Sequence, residues 1–292
     1  MTVLSLRAGQ DHLEKVASTR DPIKAISEFV WNAVDADATR VSVEFVLNVL
    51  GGIEEIVIGD NGTGISHAHA IRDFGNLGDS WKRTSHRTPA LHRALHGKEG
   101  RGRLRFFSLA QQARWHSVYI ENGKHHTISI DIASDTLEKS DLSEASDSTS
   151  AETGTVVTLT GLKSTYDWLL ASKAFLEFNA VFTPYVLQYS NVAISYNGIA
   201  ADPDATIARS QAFPTQTIVG PNKTVRDLSL RIIEWKSQVE DRKIHLGGES
   251  GITLGSQPAN VVAPGFDFSA YAYAAYFQEL ADAALLELDD LS

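Results

Sequence analysis

The feature that most restricts how this chain can fold is an amphipathic segment that begins at Asp21. Asp21 followed by Pro22 is typical of a helix N-terminus, because aspartate caps free backbone amides and proline fits the first turn. Apolar side chains then recur at helical spacing, and Glu28, Asn32 and Asp35 stand on the opposite stripe. We therefore predict a helix with one apolar face. A polar stripe of this kind is usually a solvated surface unless another element covers it.

A glycine-containing loop follows the next two predicted strands. Alternating residues predict strands at Arg40–Phe45 and Ile56–Ile58, which a hairpin at Gly51-Gly52 joins. The second strand leads into Asp60-Asn61-Gly62-Thr63-Gly64, in which two glycines allow the backbone to approach a ligand closely. Asn61-Gly62 is also a common turn dipeptide, and by itself it favours an ordinary hairpin.

A second glycine cluster, Gly97–Gly102, precedes the apolar run Leu104–Ala110, where we expect a helix to start. Backbone amides at a helix N-terminus bind anions well. The preceding stretch, Ser66–Gly97, has no sustained period, and such long connections often cover binding sites. We therefore predict a lid over this stretch.

The remaining elements divide the chain into two predicted domains, residues 1–205 and residues 206–292. In the first we expect a helix at Gly9–Ser18, a hairpin turning at Asn122-Gly123, a solvated loop at Ser134–Glu152, a strand at Gly154–Leu159, a helix around Asp167–Phe178 and a strand at Val192–Tyr196. In the second we expect strands at Leu228–Trp235 and Lys243–Leu246 and an alanine-rich helix at Tyr271–Leu288.

Composition limits the possible partners and locations. The 292 residues include no cysteine, which excludes disulfides and thiolate metal sites, and no apolar run approaches the roughly 20 residues of a membrane helix. We therefore expect a cytoplasmic protein. A net charge of −10 opposes tight binding to nucleic acid. The basic segment Arg72–Arg105 is the exception, and it suits a polyphosphate as well as DNA.

Four motifs, in order along the chain, carry a resemblance to a known family. Glu28-x-x-x-Asn32-Ala33-x-Asp35-Ala36, Asp60-x-Gly62-x-Gly64, Gly97-x-x-Gly100-x-Gly102 and Gly154-Thr155 resemble the four sequence boxes of the GHKL superfamily. This superfamily contains DNA gyrase, heat-shock chaperones of the ninety-kilodalton class, histidine kinases and MutL-type mismatch-repair proteins. The resemblance covers about residues 21–197 and is nearest to bacterial chaperone-like or MutL-like ATP-binding proteins.

The resemblance implies a fold and a set of ligands. The fold is α+β, a Bergerat-type two-layer sandwich with a mixed, mainly antiparallel sheet and helices on one face, followed by a smaller α/β transducer-like domain. The ligands are ATP or ADP with Mg²⁺. No phosphoacceptor histidine helix precedes Glu28, which argues against a histidine kinase.

The resemblance also implies roles for individual residues. Glu28 would activate the attacking water, Asn32 would bind Mg²⁺, and Asp60 would accept a hydrogen bond from the adenine amino group, with Thr155 supporting the same base. The other nucleotide-binding residues that it implies are Asp35, Gly62, Gly64, Ser80, Lys82, Lys98, Gly100, Arg101 and Gly102.

These residues favour a magnesium-dependent ATPase whose slow hydrolysis drives lid closure and a conformational cycle, with an ATP-dependent homodimer or a partner protein. Two alternatives stay open. One is a nucleotide-dependent interaction module with little turnover, which would not need Glu28. The other is the ATPase subunit of a DNA-processing or defence system, which would need the segment Arg72–Arg105 to stay exposed when nucleotide is bound.

Overall fold

The computed structural model describes residues 21–75, 88, 90, 91, 93, 95, 102–137, 139–219, 224–236, 242–248 and 253–283. The chain divides into two compact units. The first comprises Met1–Phe182 with Tyr189–Ala201, and the second comprises Thr183–Gln188 with Asp202–Ser292. The helix predicted at Gly9–Ser18 lies outside the described residues.

The first unit alternates helices with strands of one sheet. Its elements are α1 (Pro22–Asp35), β1 (Arg40–Leu47), β2 (Ile53–Asp60), α2 (His67–Gly75), a 3₁₀ helix (Gly102–Ser108), β3 (Ala110–Glu121), β4 (Lys124–Ala133), β5 (Asp141–Leu142), β6 (Ser146–Asp147), β7 (Gly154–Leu162), a second 3₁₀ helix (Asp167–Leu170), α3 (Ser172–Gln188), which ends in the second unit, β8 (Ala193–Tyr196) and β9 (Ile199–Ala200).

The described strands of this unit form a mixed sheet in the order β5-β4-β3-β7-β2-β1-β8-β9, with β6 also paired to β4. All of its pairings are antiparallel except that of β1 with β8. This arrangement confirms the predicted α+β class and its mainly antiparallel sheet.

The core of the first unit lies between one face of this sheet and the helices. Trp115 on β3 marks its centre, with ring centroids 6.4 Å from Phe29 of α1, 5.2 Å from Phe74 of α2 and 6.2 Å from Phe106 of the first 3₁₀ helix. Helices therefore cover the inner face of the sheet, as expected for a two-layer sandwich.

Local sequence signals placed several boundaries correctly. The Asp21 carboxylate accepts hydrogen bonds from the backbone amides of Ile23 and Lys24, at 2.9 and 3.2 Å, and so caps α1 as predicted. The hairpin between β3 and β4 is also confirmed, because Asn122 and Gly123 both adopt positive φ, at 51° and 75°.

Other boundaries were wrong. The run Leu104–Ala110 forms a 3₁₀ helix that ends at Ser108, because Ala110 already pairs with Leu162 at the start of β3. The predicted loop Ser134–Glu152 contains the short strands β5 and β6. The helix predicted around residues 167–178 begins as a 3₁₀ turn and continues as α3 to Gln188.

The second unit also contains α4 (Pro203–Thr206), β10 (Ile207–Val219), β11 (Thr224–Trp235), β12 (Lys243–Gly247), β13 (Thr253–Pro258), β14 (Phe268–Tyr273) and α5 (Ala275–Asp282). Its described strands pair in the order β10-β11-β14-β12-β13, and β12 and β14 are parallel. The predicted helix Tyr271–Leu288 was wrong at its start, since Tyr271–Tyr273 belong to β14.

The sheet of the second unit has an apolar cluster on each face. Ile233, Trp235 and Tyr271 form one cluster, and Ala259, Phe268 and Ala270 form the other. At one side of this sheet, β10 is exposed over most of its 13 residues, and its pairing with β11 shifts register between Phe213 and Gln216, around Pro214. None of the helices in the described ranges is long and apolar enough to cross a membrane.

Candidate functional site

The polar stripe of α1 differs from a solvated surface. Glu28 and Asn32 are half-buried, and Asp35 is only 1% exposed. Within the described part of the chain, Glu28 makes no hydrogen bond or ion pair. A half-buried carboxylate without a protein partner is available to a ligand or a water molecule.

The end of α1 contacts the loop that follows β2. The backbone amide of Thr63 donates to the carbonyl of Ala36, at 2.8 Å. A Cβ on Gly62 would lie 2.5 Å from the same carbonyl oxygen, so only glycine fits there. Gly64 has φ +73°, and a Cβ on it would lie 2.1 Å from the Val118 carbonyl oxygen of β3. Both glycines of the second box are therefore required by close backbone packing.

Asp60, the last residue of β2, holds the loop with one carboxylate oxygen only. Its Oδ1 accepts hydrogen bonds from the amides of Gly62 (2.7 Å) and Thr155 (3.3 Å). Its Oδ2 has no hydrogen-bond partner among the described residues. Burial raises the pKa of Asp60 to about 6, against the opposing effect of the two amide hydrogen bonds.

Asn61 has a structural role that was not predicted when Asn61-Gly62 was interpreted as a turn dipeptide. Its Oδ1 accepts from the amides of Thr39 (2.9 Å) and Arg40 (2.7 Å), and its Nδ2 donates to the Thr39 hydroxyl at 2.9 Å. The side chain therefore joins the end of β2 to the start of β1. The ordinary hairpin that this dipeptide favoured is not formed.

Inward-facing residues of three neighbouring strands form rows across the sheet. One row, Ile58, Val157 and Trp115, is apolar. At the next inward positions stand Asp60 on β2, Thr155 on β7 and Ser117 on β3; Ser117 pairs directly with Thr155. The inner face therefore changes from apolar to polar at the end of the sheet where the helix stripe and the Asp60 loop meet.

Ser117 was not predicted as a site residue. It is fully buried, and its Oγ accepts a 2.7 Å hydrogen bond from the amide of Ile65. The same oxygen lies 3.0 Å from the Thr155 hydroxyl and 3.2 Å from the Gly154 carbonyl. The available signal was a single polar residue at an inward position of an alternating strand, and its partners depend on strand register.

The third box is described only from its last residue. Gly102 opens the 3₁₀ helix, whose buried Leu104 and Phe106 form part of the core beside α1. Five predicted ligand contacts lie outside the described residues: Ser80, Lys82, Lys98, Gly100 and Arg101.

A buried charged pair was also missed. Arg93 is 3% exposed, and its Nη2 donates to the carbonyls of Val34 (3.1 Å) and Ala38 (2.8 Å) at the end of α1. Asp37 accepts hydrogen bonds from the amides of Ala90 (2.8 Å) and Leu91 (3.1 Å), and its Oδ1 lies 3.9 Å from Arg93 Nη2.

This pair changes the interpretation of the basic segment. Arg93 is used internally, and Arg72 forms two hydrogen bonds with Asp73, at 2.7 and 2.9 Å. Both had been counted among the cations available to a polyphosphate or to DNA.

A magnesium site built by the protein alone is not present in the described ranges, since these contain no group of three or more His, Asp or Glu side chains placed to hold a metal ion. Mg²⁺ in nucleotide sites takes few protein ligands and completes its shell with phosphates and water. The amide oxygen of half-buried Asn32, one turn from Glu28, fits that requirement.

Comparison with known proteins identifies the first unit. Residues 20–159 match the family model described as "Histidine kinase-, DNA gyrase B-, and HSP90-like ATPase". This part of the chain belongs to the GHKL superfamily. No curated protein matches the chain. The GHKL match begins beside the cap of α1 and ends at Leu159 in β7, so it includes all four boxes. The whole of the second unit lies beyond it.

Proposed function

We propose that this chain is a magnesium-dependent ATPase of low turnover that binds ATP between the polar stripe of α1 and the polar end of the sheet's inner face. Membership of a family described as ATPases supports nucleotide binding and hydrolysis in general. The observation that carries the proposal is Asp60, whose Oδ1 is occupied by two amides while its Oδ2 has no protein partner among the described residues.

Asp60 and Thr155 recognise the base in this proposal. The unpartnered Oδ2 of Asp60 accepts a hydrogen bond from the adenine amino group, and a half-buried acceptor is selective because an unmatched ligand leaves it unsatisfied. Gly62 and Gly64 contribute backbone to this site, because their close packing against Ala36 and Val118 leaves no room for side chains. The amides of Gly100 and Gly102, with Lys98 or Arg101, hold the phosphates, and Ser80 and Lys82 contact the nucleotide from the lid.

Glu28 is the general base of the proposed reaction. A carboxylate without a protein partner can accept the proton of a water molecule as that water attacks the γ-phosphorus. Asn32 follows Glu28 by one helical turn and would hold Mg²⁺, with the buried Asp35 further along the same stripe. When bound, the ion neutralises charge that develops on the phosphate oxygens.

We further propose that residues 1–205 act as the nucleotide-binding domain and residues 206–292 as a transducer-like domain. Residues 66–97 act as the lid, which closes in a cycle that involves a second copy or a partner protein. Two contacts attach this segment to the unit that carries α1, since Phe74 packs on Trp115 and the amides of Ala90 and Leu91 bind Asp37.

The test separates hydrolysis from binding. Glu28→Gln should lower turnover by about 10²–10⁴-fold, as expected for loss of a general base, and leave ATP affinity nearly unchanged. Asn32→Ala should instead weaken ATP binding in the presence of magnesium more than in its absence. Glu44→Gln, a change of the same kind at a half-buried position on β1, is the matched control and should alter neither quantity.

Calorimetry and a phosphate-release assay distinguish the outcomes. ATP binding without measurable hydrolysis in the unaltered protein would favour the interaction module. Equal loss of affinity and turnover in Glu28→Gln would assign that residue to structure or binding and refute its role as the base.

A further inference from the structure

The polar end of the sheet's inner face contains a hydroxyl pair whose proton positions can be worked out. Ser117 Oγ has one proton and two lone pairs. The amide of Ile65 can only donate, so at 2.7 Å it occupies one lone pair. The carbonyl of Gly154 can only accept, and at 3.2 Å it is within reach of the Ser117 proton. One lone pair of Ser117 then remains.

The Thr155 hydroxyl fills that remaining position. Thr155 Oγ1 lies 3.0 Å from Ser117 Oγ, and both residues are buried. If Ser117 donates to the Gly154 carbonyl, Thr155 must donate to Ser117, and every proton and lone pair of Ser117 is used. The reverse direction would withdraw the Ser117 proton from that carbonyl, which is costly in a buried network.

The consequence concerns what Thr155 can offer to a ligand. A Thr155 hydroxyl that has given its proton to Ser117 presents only lone pairs. Beside it, the Thr155 amide donates to Asp60 Oδ1, which leaves Asp60 Oδ2 as a second group that only accepts. The site therefore presents acceptors and suits a base edge with an exocyclic amine, whereas a carbonyl oxygen at the same position would face them directly.

We propose that Ser117 is a positioning residue that fixes the direction of the Thr155 hydroxyl and thereby sets the preference of the site for adenine over guanine nucleotides. This inference rests on the proposed function, because it assumes that the base binds at Asp60. Ser117 does not touch the ligand and acts through Thr155. Without its oxygen, the Thr155 proton is free to rotate toward the ligand and to tolerate a carbonyl group.

The experiment measures the ratio of ATP to GTP affinity by calorimetry on the full chain. Ser117→Ala should lower this ratio by about tenfold or more, the effect expected when a buried hydrogen-bonding group changes its direction. Ser117→Thr keeps the hydroxyl and should retain most of the ratio. Thr155→Val removes the hydroxyl itself and should lower the ratio even if Ser117→Ala does not fold.

Ile128→Val is the matched control for a merely structural effect. Ile128 on β4 is buried and pairs with Ser117 on β3. The change therefore weakens packing in the same part of the inner face and removes no side-chain hydrogen bond. It should reduce thermal stability and leave the ATP to GTP ratio unchanged.

The outcomes separate the two hypotheses. An unchanged ratio in Ser117→Ala and Thr155→Val, an equal fall in Ile128→Val, or equal affinity of the unaltered protein for ATP and GTP would overturn the role of Ser117 and leave nucleotide binding intact. Failure of the unaltered protein to bind either nucleotide would overturn the proposed function.

Discussion

Asp60 combines two properties that seldom occur in one carboxylate. Burial raises its pKa to about 6 even though two amides bind its Oδ1 and oppose that shift, and its Oδ2 has no protein donor in the described region. The side chain is thus positioned by the fold and kept ready for a ligand that supplies the missing donor.

The first prediction follows from protonation of Asp60. Below pH 6 the proton would sit on Oδ2, since Oδ1 is occupied, and a donor would then face the adenine amino group. Affinity for adenosine, which carries no titrating phosphate, should be full at pH 7 to 8 and should fall about tenfold for each pH unit below 6. Titration by NMR between pH 5 and 8 measures this, and a flat profile would contradict it.

The stability of the protein should rise as the pH falls, in contrast to its affinity for adenosine. The variant Asp60→Asn measures the contribution of Asp60 to this pH dependence. A carboxyl pKa raised from 3.8 to about 6 means that folding disfavours the charged form, so this cost is present above pH 6 and disappears as the pH falls toward 4. Without nucleotide, the free energy of unfolding of Asp60→Asn at pH 7 should therefore exceed that of the unaltered protein by about 1–3 kcal/mol. The difference should vanish near pH 4.

The variant should nevertheless fail to bind ATP. The two amides would retain the amide oxygen of Asn at the Oδ1 position, and its NH₂ group would face the donor on the base.

At the scale of elements, the end of α1 is organised by a residue that departs from the usual choice. The backbone after the helix turns through Asp37 with φ 62°, where glycine is most common. Its carboxylate explains the departure, because it accepts the amides of Ala90 and Leu91 and lies beside the buried Arg93. Hydrogen bonds to Asp37 thus attach residues 90 and 91, which precede the third box, to the end of α1, the helix that contains Glu28.

Asp37→Gly tests this attachment without backbone strain, because glycine tolerates the same φ. Hydrogen exchange at the amides of Ala90 and Leu91 should accelerate about tenfold or more, and the unfolding free energy should fall by about 2–4 kcal/mol because the charge of Arg93 loses its partner. Adding Arg93→Met should recover part of that loss, since the unpaired charge is removed. Strictly additive losses in the double variant would refute the pairing.

Local signals in the sequence predicted the elements whose ends depend on neighbouring residues. The Asp21-Pro22 start of α1 and the Asn122-Gly123 turn are of this kind, because a cap or a positive φ is decided within a few residues. The stretch Phe268–Tyr273 behaved otherwise. The helix predicted at Tyr271–Leu288 included the last three of these residues, yet pairing with β11 and β12 makes the stretch a central strand.

The site residues also divide into those that a local motif reveals and those that depend on contacts between distant parts of the chain. Asp60, Gly62 and Thr155 were identifiable as candidates because they stand in short motifs of fixed spacing. Ser117 was not, because its neighbours Ile65 and Thr155 are 52 and 38 residues away along the chain. The register of β3 against β7 brings Thr155 to Ser117, and the loop after β2 brings Ile65 to it.

For the whole molecule, the cycle proposed above makes one prediction about residues 66–97. A γ-phosphate adds contacts that ADP lacks, and a ligand shifts an equilibrium only by its differential affinity for the two states. Ordering each backbone unit costs about 1–2 kcal/mol, so a few phosphate contacts need further packing from a second copy or from the domain after residue 205.

Hydrogen exchange across residues 66–97 should therefore slow with a non-hydrolysable ATP analogue, much less with ADP, and in a way that depends on protein concentration or on residues 206–292. A dilution series with the full chain and with a chain ending at residue 205 measures both dependences. Identical protection by the analogue and ADP in every sample would contradict nucleotide-gated closure.

The long outer strand of the second unit has a consequence for solubility. An edge of 13 mostly exposed residues invites extended segments of other chains to add to it, which is a common route to aggregation. Pro214 lacks a backbone N–H, and it lies within one of three register shifts that interrupt the pairing of β10 with β11. Pro214 and the shifted pairing therefore disfavour the growth of a stack of strands on this edge.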